Sequence, residues 1–372
     1  MKKVVVLGSD HVNTLGIIRS LGEAGLRPTA IIVSDESKCW TAKSKYIGQL
    51  IITSSKKEEI TDALVKAKDE NEKAYLIPCG DPYTKLIDEN FDLLSSFYII
   101  PSLASVPGAL SRMMNKKPMC EAAENTGGFK LPKTLYFRVP ESGEINSAEL
   151  SVFDGCFPLI MRNGESAPGT DGNIYIVKNE AELLSALEKK RGITVIIQKY
   201  IKKDEEIGIQ GVGFGKDAEP VVSGIVHKIR TAEVGSIGST CYAVIAPADN
   251  EEIVKATKKF IQGIGYDGIY DIELLREGSN YYFVECNFRN GAYGYSFTKA
   301  GANLPLIWIE RGKNCDTQVK DELTLMNETA DMKHIMKNVS IFKWIAQFIS
   351  ADVHLTLNKK DLKPFIGKIL SK

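Results

Sequence analysis

This sequence of 372 residues has little of several features that mark particular classes of protein. No apolar run approaches the ~20 residues that a membrane-spanning helix requires. The 47 basic and 47 acidic residues balance, which leaves no electrostatic case for nucleic acid or an anionic membrane as a partner. The 4 histidines lie far apart, so we expect no histidine-based metal site.

Patterns of cysteine and glycine are missing as well. The 7 cysteines form neither a Cys-x-x-Cys pair nor a zinc-type spacing, and an odd, unpatterned number of them predicts reduced thiols in a cytoplasmic enzyme. The apolar run at residues 4–7 is too short for a signal peptide and leads directly into a turn. That turn, residues 8–13, lacks the glycines of the dinucleotide-binding fingerprint, which argues against NAD.

Residues 1–104 alternate between short apolar runs, which predict strands, and helical patterns. This order predicts a parallel sheet covered on both faces, and hence a Rossmann-like N-terminal domain. Loops at the carboxyl ends of such strands line a ligand crevice. The alternative role for Ser9 and Asp81 is to cap the helices that follow them. The residues that we expect to converge on a ligand are Ser9, Asp10, Gly80 and Asp81.

The most informative stretch, residues 271–289, is predicted to be an antiparallel hairpin, because two apolar-rich runs flank a turn. Alternation along the second strand puts Glu285, Asn287 and Arg289 on one face, which Glu273 on the first strand can reach. Two carboxylates, an amide oxygen and a guanidinium make a hard-cation site beside an anion site, as Mg²⁺ carrying a polyphosphate needs. The alternative is an ordinary solvated strand face.

Two other stretches predict anion binding. The strand at residues 157–162 ends in Arg162 and precedes a loop, residues 163–173, whose backbone N–H groups can wrap an anion. Lys228 and Arg230 are predicted to share one face of a later strand, where paired cations bind phosphate or carboxylate. The alternatives are a flexible connection for the loop and an ordinary exposed face for the strand.

The order of these features resembles the ATP-grasp superfamily of carboxylate–amine ligases, over roughly residues 1–312. Within that superfamily the N-terminal turns look most like those of the D-aspartate ligase group, followed by the carbamoyl-phosphate-synthase-like ligases. The motifs that carry the resemblance are the turns at residues 6–10 and 76–83, Lys116-Lys117 before Leu131-Pro132, the strand at residues 157–162 with its loop, and the hairpin end at residues 285–289.

The resemblance implies an α/β and α+β architecture, in which a Rossmann-like pre-ATP-grasp domain precedes a two-subdomain ATP-grasp fold. The implied cofactors are ATP and two Mg²⁺ ions, for which Mn²⁺ is expected to substitute. The predicted domains are residues 1–104 for the N-terminal domain, 105–195 for the first ATP-grasp subdomain, 196–312 for the second subdomain with the metal site, and 313–372 for a C-terminal extension or small subdomain.

The resemblance also implies roles for single residues. Glu273, Glu285 and Asn287 would hold the Mg²⁺ ions, and Arg289 would contact the transferring phosphate and the substrate. Arg162 departs from the family, which usually has Lys and then Pro at this place; arginine keeps the charge but replaces a point donor by a planar fork. The other implied contacts are Lys117 or Lys116 to the α and β phosphates, Gly164, Ser166 and Gly169 over the phosphates, Gln198, Lys199, Tyr200 and Ile201 at the adenine, Glu206 or Glu205 at the ribose, and Lys228 and Arg230 at the acceptor carboxylate and γ-phosphate.

The activity that the resemblance implies is ATP-dependent joining of a small carboxylate, an amino acid, to an amine through an acyl phosphate. The expected partners are these two small molecules, without nucleic acid or membrane, and the resemblance suggests a homodimer in the cytoplasm. Two alternatives stay open. One is carboxyphosphate chemistry as in carbamoyl-phosphate-synthase-like enzymes, and the other is a non-catalytic ATP-binding module. A dehydrogenase is disfavoured by the missing glycines.

Overall fold

The structure, a computed structural model, describes residues 2–34, 39–163, 175–231 and 240–371. They form two compact units. The first unit comprises Met1–Gly128, Glu205–Leu274 and Glu285–Lys372, and the second comprises Phe129–Asp204 and Leu275–Val284. Within the described ranges, no helix combines the length and the apolar character that crossing a bilayer demands. The domain boundaries expected from the sequence remain a prediction.

The strands account for most of the predicted elements of the N-terminal region and for the predicted hairpin. In chain order they are β1 (Val4–Ser9), β2 (Thr29–Val33), β3 (Gln49–Thr53), β4 (Ala74–Pro78), β5 (Tyr98–Ile99), β6 (Ser102–Leu103), β7 (Thr134–Arg138), β8 (Leu159–Asn163), β9 (Tyr175–Val177), β10 (Thr194–Lys199), β11 (Glu205–Phe214), β12 (Val221–Thr231), β13 (Thr240–Ala246), β14 (Tyr266–Glu277), β15 (Asn280–Asn287), β16 (Leu323–Met326) and β17 (Val353–His354).

The helices connect these strands and cover the sheets. They are α1 (Val12–Glu23), α2 (Lys57–Ala67), α3 (Asp81–Glu89), α4 (Phe91–Ser95), α5 (Ala109–Met113), α6 (Lys116–Thr126), α7 (Ser147–Leu150), α8 (Glu180–Glu188), α9 (Glu251–Ile264), α10 (Gly294–Lys299), α11 (Leu304–Ile309), α12 (Glu328–Asp331), α13 (Ile341–Ser350) and α14 (Lys363–Leu370), with 3-10 turns at Thr41–Lys43, Ser151–Phe153 and Met332–His334.

A five-stranded parallel sheet, in the order β3-β2-β1-β4-β5, organises the N-terminal part of the first unit. Alternation along β1 sends Val4 and Val6 into one hydrophobic core and Val5 and Leu7 into the other. Strands buried on both faces read as continuous apolar runs, which explains why the sequence revealed them. The predicted parallel sheet is confirmed, and the carboxyl ends of its neighbouring strands β1 and β4 lie side by side.

An eight-stranded sheet forms the rest of the first unit, in the order β15-β14-β11-β12-β13-β16-β17, with β6 paired to β14. The predicted hairpin is present as β14 and β15, which turn at Gly278 in the left-handed backbone region. β11 and β12 pair antiparallel and set Glu206 opposite Lys228. The long strands of this sheet therefore bring side chains from distant parts of the sequence to one edge.

One expectation about this sheet is wrong. Lys228 and Arg230 do not share a face of β12, because Lys228 pairs with Ala243 while Arg230 pairs with Tyr242. The register shift inserts an extra residue between them, and a β-bulge of this kind turns the following side chain to the opposite face. Strict alternation, on which the prediction rested, holds only for an unbulged strand.

The second unit contains a four-stranded antiparallel sheet in the order β7-β10-β8-β9. Its core holds Phe137, Phe153, Leu159 and Val195, each at most 3% exposed. The tip of the β14–β15 hairpin belongs to this unit and is bound to it through the N–H of Phe283, which donates to the carbonyl of Lys130 at 2.8 Å. The unit carries Arg162 on β8 and Gln198 on β10.

The C-terminal residues extend the large sheet and are anchored by a buried ion pair. Arg19 on α1 is 0% exposed, and its Nε lies 3.0 Å from the Oδ2 of Asp361. The guanidinium also donates to the carbonyl oxygens of Leu355, Thr356 and Asp361. The Asp361 carboxylate in turn accepts from the Ser44 hydroxyl at 2.8 Å. This fully satisfied cluster ties the last residues of the chain to the first helix.

We expect Asp361→Ala to lower the free energy of unfolding by about 3–5 kcal/mol, because it leaves the buried Arg19 charge without its counter-ion. Urea unfolding followed by far-ultraviolet circular dichroism measures the change. Glu219→Ala, which removes an exposed partner of Lys258, serves as the control and should alter stability little. If Asp361→Ala were as stable as this control, the carbonyl oxygens alone would suffice for Arg19.

Candidate active site

A cavity of about 490 Å³ opens in the first unit where β1 and β4 end. Nine of its residues are charged or titratable, and they come from five separate stretches of the sequence. The lining residues are Ser9, His11, Asn13, Cys79, Gly80, Asp81, Pro82, Lys228, Thr240, Asp271, Glu273, Glu285, Asn287, Arg289, Ala292 and Tyr293.

This cavity gathers many of the residues predicted from the sequence. Ser9, Gly80 and Asp81 come from the turns of the parallel sheet, and Lys228 comes from β12. The last group comes from the hairpin and consists of Glu273, Glu285, Asn287 and Arg289. The sequence assigned these polar residues to two sites, a ligand crevice at the parallel sheet and a metal site on the hairpin. The structure places both sets around one cavity. This favours a common binding function over the alternative, in which each set is simply a solvent-exposed face.

Arg289 is the most heavily bonded of these residues. Its Nε lies 2.8 Å from the Oδ1 of Asp81, and its Nη2 lies 3.1 Å from the Oδ2 of Asp81. The same Nη2 donates to the Oδ1 of Asn287 at 3.1 Å, and Nη1 donates to the carbonyl of Asn290. Burial alone would lower the pKa of Arg289, but Asp81 outweighs it and raises the pKa above its ordinary value. The guanidinium is fixed and charged before any ligand binds.

Lys228 is the second buried cation, with a side chain only 3% exposed. Its Nζ lies 3.1 Å from Glu273 and 3.9 Å from Glu206. Burial alone would lower the pKa of Lys228, but Glu273, Asp271 and Glu206 together raise it above its ordinary value. This lysine is therefore held as a cation against the carboxylates of the neighbouring strands.

Sequence reasoning missed Asp271, although it lies two residues before Glu273 on the same strand face. Asp271 is 2% exposed, and its Oδ1 accepts from the Tyr293 hydroxyl at 2.6 Å. Burial, and then the charge of Glu273, raise its pKa to about 7. Gly208 makes this arrangement possible, because a Cβ there would overlap the Tyr293 hydroxyl. The spacing to Glu273 could have revealed Asp271, whereas Tyr293 lies outside any strand pattern.

Two residues at the start of α1, His11 and Asn13, lie in the turn that the sequence predicts to contact a substrate, but they were not singled out as site residues. His11 caps the helix, since its Nδ1 accepts from the N–H of Asn13 at 3.2 Å. Burial, followed by the charges of Lys368 and Arg289, lowers the pKa of His11. Asn13 exchanges hydrogen bonds with Asn290, donating to its carbonyl at 2.6 Å. The cap of α1 is thus His11 and not Ser9, so the capping alternative for Ser9 is wrong.

Other predicted residues of the first unit lie away from this lining. Asp10 accepts from the N–H groups of Trp40 and Thr41, so it caps a 3-10 turn instead of facing the cavity. Lys116 and Lys117 open α6, where Lys117 is 60% exposed and 4.0 Å from Glu121. The two glutamates predicted to bind the ribose lie on opposite faces of the strand. Glu206 shares a face with Lys228, whereas Glu205 contacts His227 at 2.6 Å.

Arg230 has a different partner altogether. Its Nε and Nη2 bind the two oxygens of Asp331 at 2.8 and 2.7 Å. Asp331 also accepts from the Cys241 thiol and from the indole N–H of Trp344. Cys241, Asp331 and His334 place three ligand-type atoms within 4.8 Å of one another, but the Arg230 guanidinium already binds both oxygens of the Asp331 carboxylate. The cluster is therefore a closed hydrogen-bond network and a poor cation site.

The second unit holds the remaining predicted residues. Arg162 donates through Nη2 to the Oε1 of Gln198 at 3.3 Å, and Gln198 donates to the Thr134 hydroxyl at 2.8 Å. The N–H of Lys199 is bound to Lys133, and that of Tyr200 to Pro158. Ile201 is 3% exposed. Gly164, Ser166 and Gly169 lie outside the described residues, so their predicted contacts stay predictions.

Glu273, Glu285 and Asn287 have the donor chemistry that Mg²⁺ selects. Carboxylate and amide oxygens are hard ligands, and all three residues line the same cavity. Four carboxyl groups there, those of Asp81, Asp271, Glu273 and Glu285, face only two permanent cations. The donor set and the local excess of acid fit a divalent cation, although the number of ions remains a prediction.

The raised pKa of Asp271 predicts a pH-dependent stability. The pKa of this carboxyl group is 3.8 in the unfolded chain and about 7 in the folded protein. Between these values the unfolded chain releases the proton and the folded protein keeps it, so the stabilising contribution is complete below about pH 4 and is lost as the pH rises to 7. Asp271→Asn removes this pH-dependent loss of stability, because asparagine does not ionise. Its stability relative to the natural protein should therefore increase between pH 4 and pH 7, by on the order of 4 kcal/mol.

Urea titrations without Mg²⁺ or nucleotide, at several pH values, measure this difference. Glu219→Gln serves as the control for the loss of one exposed acidic charge. A difference between Asp271→Asn and the natural protein that stays constant with pH would mean that Asp271 is ionised throughout.

No family model matches the chain. The chain is similar to D-aspartate ligase of Enterococcus faecium (strain Aus0004), with 27% identity over 320 residues that cover 81% of this chain and 74% of that protein. It is also similar to the carbamoyl phosphate synthase large chain of Clostridium botulinum (strain Loch Maree / Type A3), with 29% identity over 140 residues. That match covers 36% of this chain and 13% of the synthase.

Solved structures share the fold. The L-amino acid ligase from Bacillus licheniformis superposes with a TM-score of 0.60 at 14% identity, covering 85% of this chain and 75% of that one. N5-carboxyaminoimidazole synthetase from Staphylococcus aureus, complexed with ADP, gives 0.65 at 13% identity, covering 90% and 87%. These proteins are ATP-grasp ligases, so the predicted resemblance to that superfamily is confirmed. This chain resembles the ATP-grasp ligases in sequence and shares their fold.

Proposed function

We propose that this chain joins a small carboxylate, an amino acid, to an amine at the expense of ATP, releasing ADP and phosphate. One observation carries the proposal: a single cavity holds Glu273, Glu285 and Asn287 beside the fixed cations Lys228 and Arg289. Oxygen atoms that can bind Mg²⁺, placed next to fixed cations, can together stabilise the negative charge of a phosphoryl group during its transfer to a carboxylate.

The reaction has two steps. A carboxylate oxygen attacks the γ-phosphorus of ATP, the bond to ADP breaks, and an acyl phosphate forms. The amine then attacks the carbonyl carbon, phosphate leaves, and the amine loses a proton. No side-chain nucleophile is needed, so the protein contributes mainly position and charge.

Each of the chain's own residues has a task in this scheme. Lys228 and Arg289 neutralise charge on the transferring phosphoryl group, and their prior bonding to Glu273 and Asp81 fixes them in place at no cost during the reaction. Glu273, Glu285 and Asn287 would hold Mg²⁺, which would supply positive charge against the phosphate oxygens.

The Asp81–Arg289 pair supports an amino acid as a substrate. A carboxylate and a guanidinium 2.8 Å apart at the cavity wall offer one partner for an α-ammonium group and one for an α-carboxylate. Ser9, Gly80 and His11 line the same wall. The similarity to D-aspartate ligase points to the same class of substrate.

The finer assignments rest on the resemblance in sequence. We infer a Rossmann-like pre-ATP-grasp domain at residues 1–104, ATP-grasp subdomains at residues 105–195 and 196–312, and a cytoplasmic enzyme. ATP would be contacted by Lys117 or Lys116, Arg162, the loop with Gly164, Ser166 and Gly169, the segment of Gln198, Lys199, Tyr200 and Ile201, and Glu206. Asp10, Glu205 and Arg230 are withdrawn from the proposed contacts, because each is bound to another part of the fold.

Phosphate release from Mg-ATP, measured across a matrix of amino acids and small carboxylates, alone and in pairs, tests the proposal. Release that requires one acid together with one amine is expected, and the pair identifies both substrates. Release with bicarbonate in place of the organic acid would favour carboxyphosphate chemistry, which the similarity to carbamoyl phosphate synthase keeps as the second candidate. ATP binding without release under any condition would indicate a non-catalytic module.

Glu285→Ala should reduce ligase turnover by at least about 100-fold, because it removes one of the two predicted metal-binding carboxylates from the cavity. Steady-state phosphate release over a range of Mg²⁺ concentrations measures the effect. Glu219→Ala, an exposed glutamate outside the cavity, is the matched control and should retain full turnover. Activity of Glu285→Ala within a few-fold of the natural protein would disprove the metal assignment.

A further inference from the structure

The amino-end cavity lies at the edge of the parallel sheet opposite the candidate active site. We define it by its charged lining residues, which are Lys2, Lys3, Arg27, Lys66, Lys68 and Asp69. Its volume is about 560 Å³, and it shares no lining residue with the active-site cavity. Val4 at the start of β1 lines this cavity and Ser9 at the end of β1 lines the other, roughly 16 Å apart along the strand. The amino-end cavity is therefore a separate site.

Positive charge predominates in this cavity, although the charges of the whole chain balance. Five of the six charged lining residues are cations. The sixth, Asp69, is already occupied: its Oδ2 accepts from Lys3, and its Oδ1 accepts from the N–H groups of Asn71 and Glu72 at 2.9 and 3.2 Å. In the lining that the structure describes, no carboxylate is therefore left for the other cations.

Arg27 and Lys66 are the cations of this lining without an acidic partner. Each of the other three lies within 3.5 Å of a carboxylate, whereas no acidic residue among those that the structure describes forms an ion pair with Arg27 or Lys66. The alternative role for such cations is to neutralise the carboxyl ends of α1 and α2, which lie at this edge. A helix end carries about half a negative charge, so two ends offset about one of the two positive charges. Positive charge is left over for a ligand.

Arg27 is held in place although it has no ion-pair partner in the described part of the chain. Its Nη1 donates to the carbonyl oxygens of Gly22 and Leu26 at 3.2 and 3.1 Å, and its guanidinium lies over the Tyr46 ring, 5.4 Å from the centroid. Its Nε and Nη2 donate to no residue that the structure describes. Their N–H groups point in parallel, which is the geometry that binds two oxygens of one anionic group. Arg27 is therefore a fixed cation with two donors available to a ligand.

Lys66 and Gln49 add further donors to the same cavity. Lys66 lies exposed in the last turn of α2, and its ammonium group donates to no residue that the structure describes. Gln49 accepts from the Thr29 hydroxyl at 3.4 Å through its Oε1, which leaves its NH₂ group to donate. Val4 and Leu26 line the cavity as buried apolar residues, 5% and 8% exposed. A concave space with buried apolar walls and a few polar groups has the character of a small-molecule site.

We propose that the amino-end cavity binds a small molecule that carries a diphosphate or triphosphate group, with Arg27 and Lys66 as the main contacts. Phosphate oxygens can accept from the arginine fork and from the lysine ammonium at the same time, and they bring the negative charge that this edge lacks. The volume lies within the about 300–1,000 Å³ of typical small-molecule sites, whereas a nucleic acid duplex or a bilayer presents a surface that cannot enter a cavity. The proposal does not depend on the proposed ligase activity, because the two cavities are separate.

Isothermal titration calorimetry of the full-length protein with inorganic triphosphate, in the absence of Mg²⁺, tests the proposal. The natural chain should bind triphosphate, and Arg27→Gln and Lys66→Gln should each weaken the binding at one site at least about tenfold, because each removes a charge-assisted hydrogen bond. Lys320→Gln removes an equal charge from an exposed lysine outside the cavity and is the matched control, which should bind like the natural chain. Any binding in the active-site cavity is left unchanged by these substitutions, since the two cavities share no residue.

Lys66 is exposed, so Lys66→Gln leaves the fold intact even if Arg27→Gln, which loses its carbonyl contacts, does not; circular dichroism checks both variants. Failure of the natural chain to bind triphosphate at about 1 mM overturns the proposal. So does binding that both variants retain in full. Citrate that binds as tightly as triphosphate overturns the phosphate assignment. Binding of duplex DNA or phosphatidylglycerol vesicles through Arg27 and Lys66, in place of triphosphate, overturns the assignment to a small molecule.

Discussion

The two-point bond between Arg289 and Asp81 is the constraint on which the site depends. It joins the segment just after β15 in the large sheet to the first residue of α3, which follows strand β4 of the parallel sheet. Because Arg289 is fixed in this way, the strand residues before it are oriented too, and Asn287 is bonded to the same guanidinium. A cavity wall made from two sheets thus becomes rigid without any ligand, which is what preorganised catalysis requires.

The charges in this cavity are arranged for ligands that bring both signs. The acidic groups outnumber the permanent cations, but the raised pKa of Asp271 reduces the negative charge of this excess. A divalent cation would reduce the repulsion between Glu273 and Glu285. Lys228 and Arg289 are already held in place, so they could bind a polyphosphate without rearranging. Burial raises the pKa of Asp271, and this limits the electrostatic repulsion between carboxylates in the folded protein.

Sequence patterns predicted those parts of the site that follow a local period. Alternation over two residues correctly placed Glu285 and Asn287 together on β15, and Arg289, just after the strand, stays beside them through its bond to Asn287. The same rule failed for Arg230, since a bulge in β12 shifts the period and sequence alternation carries no sign of it. His11 and Tyr293 were missed for another reason: they lie where strands give way to helices, and only long-range packing brings them to the cavity.

The bulge in β12 gives two neighbouring cations unrelated tasks. Lys228, before the bulge, faces the carboxylates of the cavity, whereas Arg230, after it, reaches through Asp331 to the indole of Trp344 on α13. Without the extra residue, both cations would lie on the same side of the strand, where their like charges would repel each other. The inserted residue therefore leaves Lys228 as the one cation of this pair that faces the cavity. It also turns Arg230 towards Asp331, which in turn binds Trp344 of α13.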